Sequence, residues 1–236
     1  MLLKDFSTMR KLVGLCLAAF MTLFVSCKKN EISHYFVEIL HPTGFGAMIY
    51  ADQTEDRLSF VTTYDWNLSI SDDWLRVNPD SMAGSVPEGY YMSCNLRVNM
   101  DVNNTGKART GYIYFNAEGK TLATMYSQAH FLHVKRPMRL DDEFVLQNRY
   151  DQASDSIFFK TYSDDWTFSF KGEQPEWIEL TTGAPTSGVA GDYKVKYLLK
   201  PNKTAEPRTA VFQLQSAGIV TDIKVIQFDQ PESEKL

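Results

Sequence analysis

The sequence predicts an all-β chain of two tandem antiparallel β-sandwiches, and three observations carry that expectation. The stretch Tyr64-Asp65-Trp66-Asn67-Leu68-Ser69-Ile70-Ser71-Asp72-Asp73-Trp74-Leu75 returns as Asp164-Asp165-Trp166-Thr167-Phe168-Ser169-Phe170 followed by Trp177-Ile178, and all 4 Trp residues belong to this pair. The echo keeps an almost constant offset, 100 for Trp66 to Trp166 and 99 for Asn103 to Asn202, Arg109 to Arg208 and Gln128 to Gln227. Such constancy marks an internal repeat rather than a chance dipeptide. Within each copy Trp66/Leu68/Ile70 and Trp166/Phe168/Phe170 alternate with polar residues, and a period of two places one set of side chains on one face of a strand. Turn residues interrupt these runs every ten or so positions and no segment shows a 3.6-residue period, which argues for a sandwich rather than a helical or mixed fold.

The first element is an address. Lys4, Arg10 and Lys11 precede an apolar run from Leu12 to Phe24, too short for a membrane-spanning helix and of the right length for a secretory signal. Val25-Ser26-Cys27 resembles the lipobox of bacterial lipoproteins, with Phe24 replacing the usual aliphatic residue. That resemblance implies cleavage after residue 26 and lipid on the Cys27 thiol, hence a lipid anchor in a bacterial outer membrane, with exposure at the cell surface left open. Translation from Met1 or from Met9 fits equally well. Residues 27–44 read as a tether.

Removing residues 1–26 leaves 210 residues, room for two domains of about 100 each. The remainder holds 21 basic and 28 acidic side chains, a net charge of −7, and no basic stripe, which excludes nucleic acid as a partner. Cys16 leaves with the signal and Cys27 takes lipid, so Cys94 is alone and no internal disulfide can form. It shares phase with Tyr90, Met92, Leu96, Val98 and Met100, the position of a small core residue rather than a nucleophile.

Domain one, residues 45–131, reads as strands near Phe45–Ala51, Arg57–Tyr64, Trp66–Ile70, Tyr90–Met100, Arg109–Phe115 and Leu122–Gln128. Breaks at Pro79, Gly84, Pro87-Glu88-Gly89, Asn103-Asn104-Thr105-Gly106 and Asn116-Ala117-Glu118-Gly119 supply the turns. Residues 132–140 read as a linker, since Arg136-Pro137 bars helix and central strand. Domain two, residues 141–230, repeats the plan with Glu143–Tyr150, Ser156–Tyr162, Trp166–Phe170, Tyr193–Leu199, Arg208–Gln215 and Ile219–Phe228. Residues 231–236 form a tail.

A Trp strand, a second Trp, a Pro/Gly/Ser loop, an Asn-x-Thr turn, an Arg-Thr strand and a closing strand ending in Gln recur in both halves. This series resembles the Bacteroidetes-associated carbohydrate-binding often N-terminal domain, BACON, over roughly residues 45–131 and 141–230. The resemblance implies immunoglobulin-like sandwiches and a polysaccharide or host glycan as ligand.

The residue census opposes an enzyme. His34 and His41 fall in the tether and His130 and His133 at the domain junction, where they read as solvated linker residues. Asp72-Asp73 and Asp164-Asp165 are adjacent in sequence, so they cannot face each other across a cleft as glycoside hydrolysis requires. They read as turn residues. No metal or cofactor is expected. Trp66 and Trp166 share phase with core residues, and Gln128 and Gln227 close the repeat, so these four read as structural. Trp74 and Trp177 fit packing, with Trp74 kept as a candidate glycan contact.

The sharper candidates are unrepeated. Aligning Gly111/Ile113/Phe115 with Ala210/Phe212/Leu214 turns Tyr112 and Tyr114 outward, where domain two has Val211 and Gln213. Two aromatic rings on one strand face lie close enough for one sugar chain to cross both. Two functional classes therefore stand: a non-catalytic envelope lipoprotein binding glycan, host mucin or dietary polysaccharide, and a spacer or protein-interaction stalk without glycan affinity that engages another envelope protein. Asp80-Ser81-Met82 and Asp155-Ser156-Ile157 resemble a bacterial O-glycosylation motif. Asn67-Leu68-Ser69, Asn103-Asn104-Thr105 and Asn202-Lys203-Thr204 have the form of N-glycosylation sequons, though the last two are explained by turn formation.

Overall fold

The computed structural model describes residues 48–135 and 143–231, with the backbone of two short strands at 38–40 and 138–140. The signal segment, Cys27, His34 and His41 lie outside the described residues. In chain order the strands are β1 (Glu38–Leu40), β2 (Glu55–Thr62), β3 (Trp66–Ile70), β4 (Leu75–Val77), β5 (Ala83–Gly84), β6 (Met92–Met100), β7 (Arg109–Ala117), β8 (Lys120–Gln128) and β9 (His133–Val134). The second half supplies β10 (Met138–Leu140), β11 (Glu143–Asn148), β12 (Ser154–Thr161), β13 (Trp166–Phe170), β14 (Ile178–Leu180), β15 (Ser187–Gly188), β16 (Gly191–Leu199), β17 (Arg208–Ser216) and β18 (Ile219–Gln227).

The first sandwich packs sheet β1-β2-β6-β4 on sheet β5-β3-β7-β8, and the second packs β14-β16-β12-β9 on β10-β11-β18-β17-β13-β15. Pairing is antiparallel except between β11 and β18, and an isolated parallel bridge from Ile49 to Gln128 sits at the matching place in the first copy. Alternation sets the layers: β3 and β13 both read buried, exposed, buried, exposed, half-buried. Trp66 and Trp166 are 5% and 1% exposed, each set edge-on to a Phe of the facing sheet, Phe60 at 4.8 Å and Phe159 at 5.0 Å. Strands β4, β5, β14 and β15 were not expected. They are two or three residues long, too short for alternation to register.

Gln128 and Gln227 are fully buried and anchor a clasp that recurs almost atom for atom. Arg109 Nε donates to Gln128 Oε1 at 2.9 Å, and Arg208 Nε to Gln227 Oε1 at 2.9 Å. The same guanidinium groups lie over Trp74 at 4.3 Å and over Trp177 at 4.6 Å. Beneath them Asn103 Nδ2 donates to the carbonyls of Lys107 and Ala129 at 2.8 and 2.9 Å, and Asn202 Nδ2 to those of Glu206 and Phe228 at 3.0 Å each. The buried amides need such partners, because leaving one unpaired costs about 1–3 kcal/mol.

The expected linker is built into the second sandwich. β9 adds to the edge of β12, and Leu132 and Val134 belong to the second core, as does Ala51 from the first half of the chain. Asp52 next to it is buried and accepts hydrogen bonds from Tyr162 N and Ser216 Oγ, both at 3.0 Å. Leu132 N donates to Thr221 Oγ1 at 2.9 Å. Burial pushes the Asp52 carboxyl above its usual range against the pull of those two donors. The reading of His133 as a solvated linker residue is corrected as well. Its ring stacks on Tyr50 at 3.9 Å and 6°, and burial, with Lys135 and Lys160 nearby, lowers its pKa.

Candidate functional site

The tyrosine pair lies on the outer face of β5-β3-β7-β8. Alternation along β7 turns Gly111, Ile113 and Phe115 inward, while Tyr112 is 37% exposed and Tyr114 half-buried. Their rings run nearly parallel, 20° apart with centroids 6.0 Å apart. Tyr112 N donates to Ser71 Oγ at 2.7 Å, and Ser71 N to the Tyr112 carbonyl at 3.0 Å, so the strand beneath the rings is pinned on its β3 side. Across β8 the pair faces Met125 and Ala123, and Met125 is itself largely exposed. The result is an apolar and aromatic strip edged by serine and asparagine.

Further along the same face the strip meets a groove. About 740 Å³ opens between the start of β3, β5 and the β7–β8 turn, lined by Asp65, Trp66, Asn67, Asn116, Lys120 and Thr121 among others. Asn116 Nδ2 reaches Asn67 Oδ1 at 3.2 Å and its Oδ1 accepts from Thr121 Oγ1 at 2.7 Å. Sequence reasoning placed Asn116 only in a turn; its phase with Tyr112 and Tyr114 was the signal that joins it to them. Loop residues Tyr90 and Tyr91, at the same pole, are 67% and 66% exposed.

Trp74 is not brought into this strip. It packs against the first core with Arg109 over its ring, and since Trp177 has the same cover, the arrangement follows from the repeat. The paired aspartates hold turns and loops: Asp72 Oδ2 accepts from Ser71 Oγ, Asp164 Oδ1 from Ala190 N at 3.0 Å and Asp165 Oδ1 from Ala217 N at 3.1 Å. Cys94 is a half-buried free thiol whose pKa burial raises, the opposite of an activated nucleophile. Among the described residues no three His, Cys, Asp or Glu side chains converge on a metal-sized position.

Fold and surfaces together define a class, a tandem all-β module protein whose first copy carries the exposed aromatic surface. The BACON family model, described as "Putative binding domain, N-terminal", matches residues 64–128 and 166–228, more than half of the 236 residues. The chain belongs to this family and carries two copies of its domain. A comparison with curated proteins found no match. Among solved structures it is similar to a Bacteroides ovatus GH5 xyloglucanase in complex with a XXXG heptasaccharide, at 17% identity and TM-score 0.33, over 48% of this chain and 22% of that one. A Bacteroides thetaiotaomicron protein matches at 16% identity and TM-score 0.28, over 42% and 86%. A Porphyromonas gingivalis W83 protein of unknown function matches at 10% identity and TM-score 0.27, over 82% and 100%. The chain thus spans about a fifth of the xyloglucanase, and likenesses at these scores carry no argument about activity.

Proposed function

We propose that this protein is a non-catalytic lipoprotein of a bacterial outer membrane, anchored through Cys27, that binds glycan through the outer face of its first sandwich. The ligand class is host mucin or dietary polysaccharide. One observation carries the reading: Tyr112 and Tyr114 lie outward side by side on β7, at positions where the second copy has Val211 and Gln213. Aromatic rings offer rigid apolar area to the apolar faces of sugars at small entropic cost. Membership of a family described as a binding domain supports binding in general. Glycan-array screening of the purified protein, followed by titration calorimetry, tests it; a protein that retains no glycan from the array fails the proposal. For the anchor, Cys27→Ala should move the protein from the detergent phase to the soluble fraction.

The spacer reading has its own support in the junction, where Ala51 and Asp52 from the first half are buried against the second sandwich. Such bracing suits a stalk that presents an envelope partner at a fixed angle. Binding of no glycan, together with capture of one envelope protein that is lost when Tyr112 and Tyr114 are replaced, would favour it.

A further inference from the structure

The groove beside the tyrosine strip differs from its counterpart in the second sandwich, and the difference begins in the loop after β5. Gly84 pairs with Trp66 as Gly188 pairs with Trp166. From Gly84 to Cys94 is ten residues, whereas from Gly188 to the equivalent Tyr193 is five. In the second copy the Tyr193 ring packs on Trp166 at 4.3 Å. The Val189 carbonyl there accepts both Tyr193 Oη at 2.7 Å and Trp166 Nε1 at 2.9 Å. In the first copy a thiol stands in place of that ring, and Trp66 Nε1 is buried without an acceptor. The first copy therefore leaves at this pole an indole N–H without the acceptor that Val189 supplies in the second. The first copy has a longer loop here, with two exposed tyrosines at the same pole as the groove.

The geometry of β7 connects the groove to the aromatic strip. Tyr112, Tyr114 and Asn116 occupy alternate positions on one outward face, so the row ends in the groove that Asn116 lines. Strand rise puts Asn116 roughly 13–14 Å beyond Tyr112. Amide, carboxylate and hydroxyl groups lining the groove suit a polyhydroxylated ligand. With Asp65 and Glu118 against Lys120, the rim has acidic excess, which disfavours sulfated or carboxylated chains.

We propose that the groove is the extension subsite of the glycan site. A neutral, extended saccharide chain lies along β7 from Tyr112 across Tyr114 and into the groove, so the protein reads a run of sugar units rather than a single terminal residue. This rests on the glycan reading above, and the test separates the two. Size-fractionated oligosaccharides cut from a neutral polysaccharide that binds the wild-type protein are titrated against wild type, the groove-filling variant Ala83→Trp and the double variant Tyr112→Ala with Tyr114→Ala. Wild type should gain roughly tenfold or more in affinity between the disaccharide and a fragment long enough to reach the groove. Ala83→Trp should lose that gain and keep the disaccharide affinity. A pair of smaller changes, Asn116→Ala and Thr121→Ala, should act in the same direction should Ala83→Trp disturb folding. Equal affinity for short and long fragments, or a length gain that survives both sets of groove variants, overturns the extension subsite while leaving the tyrosine site standing. Unchanged binding by the double tyrosine variant overturns the tyrosine site instead.

Discussion

The two sandwiches share the Arg–Gln–Asn clasp and the edge-on Trp–Phe contact of each core, and part company on one outer face and at the pole beside it. Where the first copy presents Tyr112 and Tyr114, the second has Lys171 paired with Asp222 at 2.5 Å and Gln213 Nε2 donating to the same carboxylate at 3.1 Å. That face of the second copy is therefore polar and charged where the first is aromatic. Its pole is also occupied, since Ser216 and Tyr162 N receive Asp52 from the first half. The first copy has Ala117 where the second has Ser216, and its pole opens into the groove. Comparison within one chain separates demands of the fold, which appear twice, from features that packing does not require, which appear once.

Predictions follow from that separation. The largest effect is expected at the core: Trp166→Ala and Trp66→Ala should each cost about 3–5 kcal/mol, read as shifts in thermal or urea unfolding. Trp→Phe sharpens the contrast. Trp166→Phe removes a hydrogen bond that Val189 accepts, whereas Trp66→Phe removes a buried N–H with no acceptor, so the Trp66 change should be the milder one. The reverse order would mean that the indole of Trp66 finds an acceptor in solution. Next come Gln128→Ala and Gln227→Ala, each expected to cost about 1–3 kcal/mol by stripping a guanidinium of its buried acceptor; similar losses in the two copies would confirm that the clasp is a repeated part.

At the junction the effect is set by pH. The folded Asp52 carboxyl has its pKa raised by burial above the value of 3.8 it starts from. Its protonated form is therefore favoured by folding, and its contribution to stability is fullest below the unfolded value and falls as pH rises toward the folded one. Asp52→Asn keeps an acceptor for Tyr162 N and removes the ionisation. Stability of the variant relative to wild type should increase from pH 3 to pH 7, measured by urea unfolding; a difference that stays flat across that range would show that Asp52 titrates as it does in the unfolded chain. The smallest stability effect belongs to Tyr112→Ala with Tyr114→Ala, within about 0.5 kcal/mol per site, although glycan binding should disappear. A large loss of stability would mark the pair as packing residues.

Much of this was legible from alternation and repetition. Trp66–Ile70 and Trp166–Phe170 have the strand bounds read from sequence, because five residues of strict alternation carry a period. β5 and β15 could not be seen that way; they are two-residue edges defined by a glycine facing a Trp. The linker was misjudged for a related reason. Pro137 announces a break, but nothing local says that Leu132 and Val134 fill the neighbouring core, a fact of long-range packing. The outward phase of Tyr112 and Tyr114 came from aligning the copies, while the groove depends on a loop-length difference whose spatial meaning only the fold supplies.

The clasp asparagines have a consequence for modification. Asn103 and Asn202 sit in Asn-x-Thr triplets, yet both are 0% exposed and their amide nitrogens are held by backbone carbonyls. The Thr hydroxyls are engaged too, donating to the Asn Oδ1 atoms at 2.7 Å in each copy. An oligosaccharyltransferase could reach either triplet only before the chain folds, whereas Asn67 stays exposed on β3 afterwards. In a host that attaches N-linked sugars, occupancy at Asn67 would report nothing about folding. Occupancy at Asn103 or Asn202 would label the molecules in which modification outran the closing of the clasp.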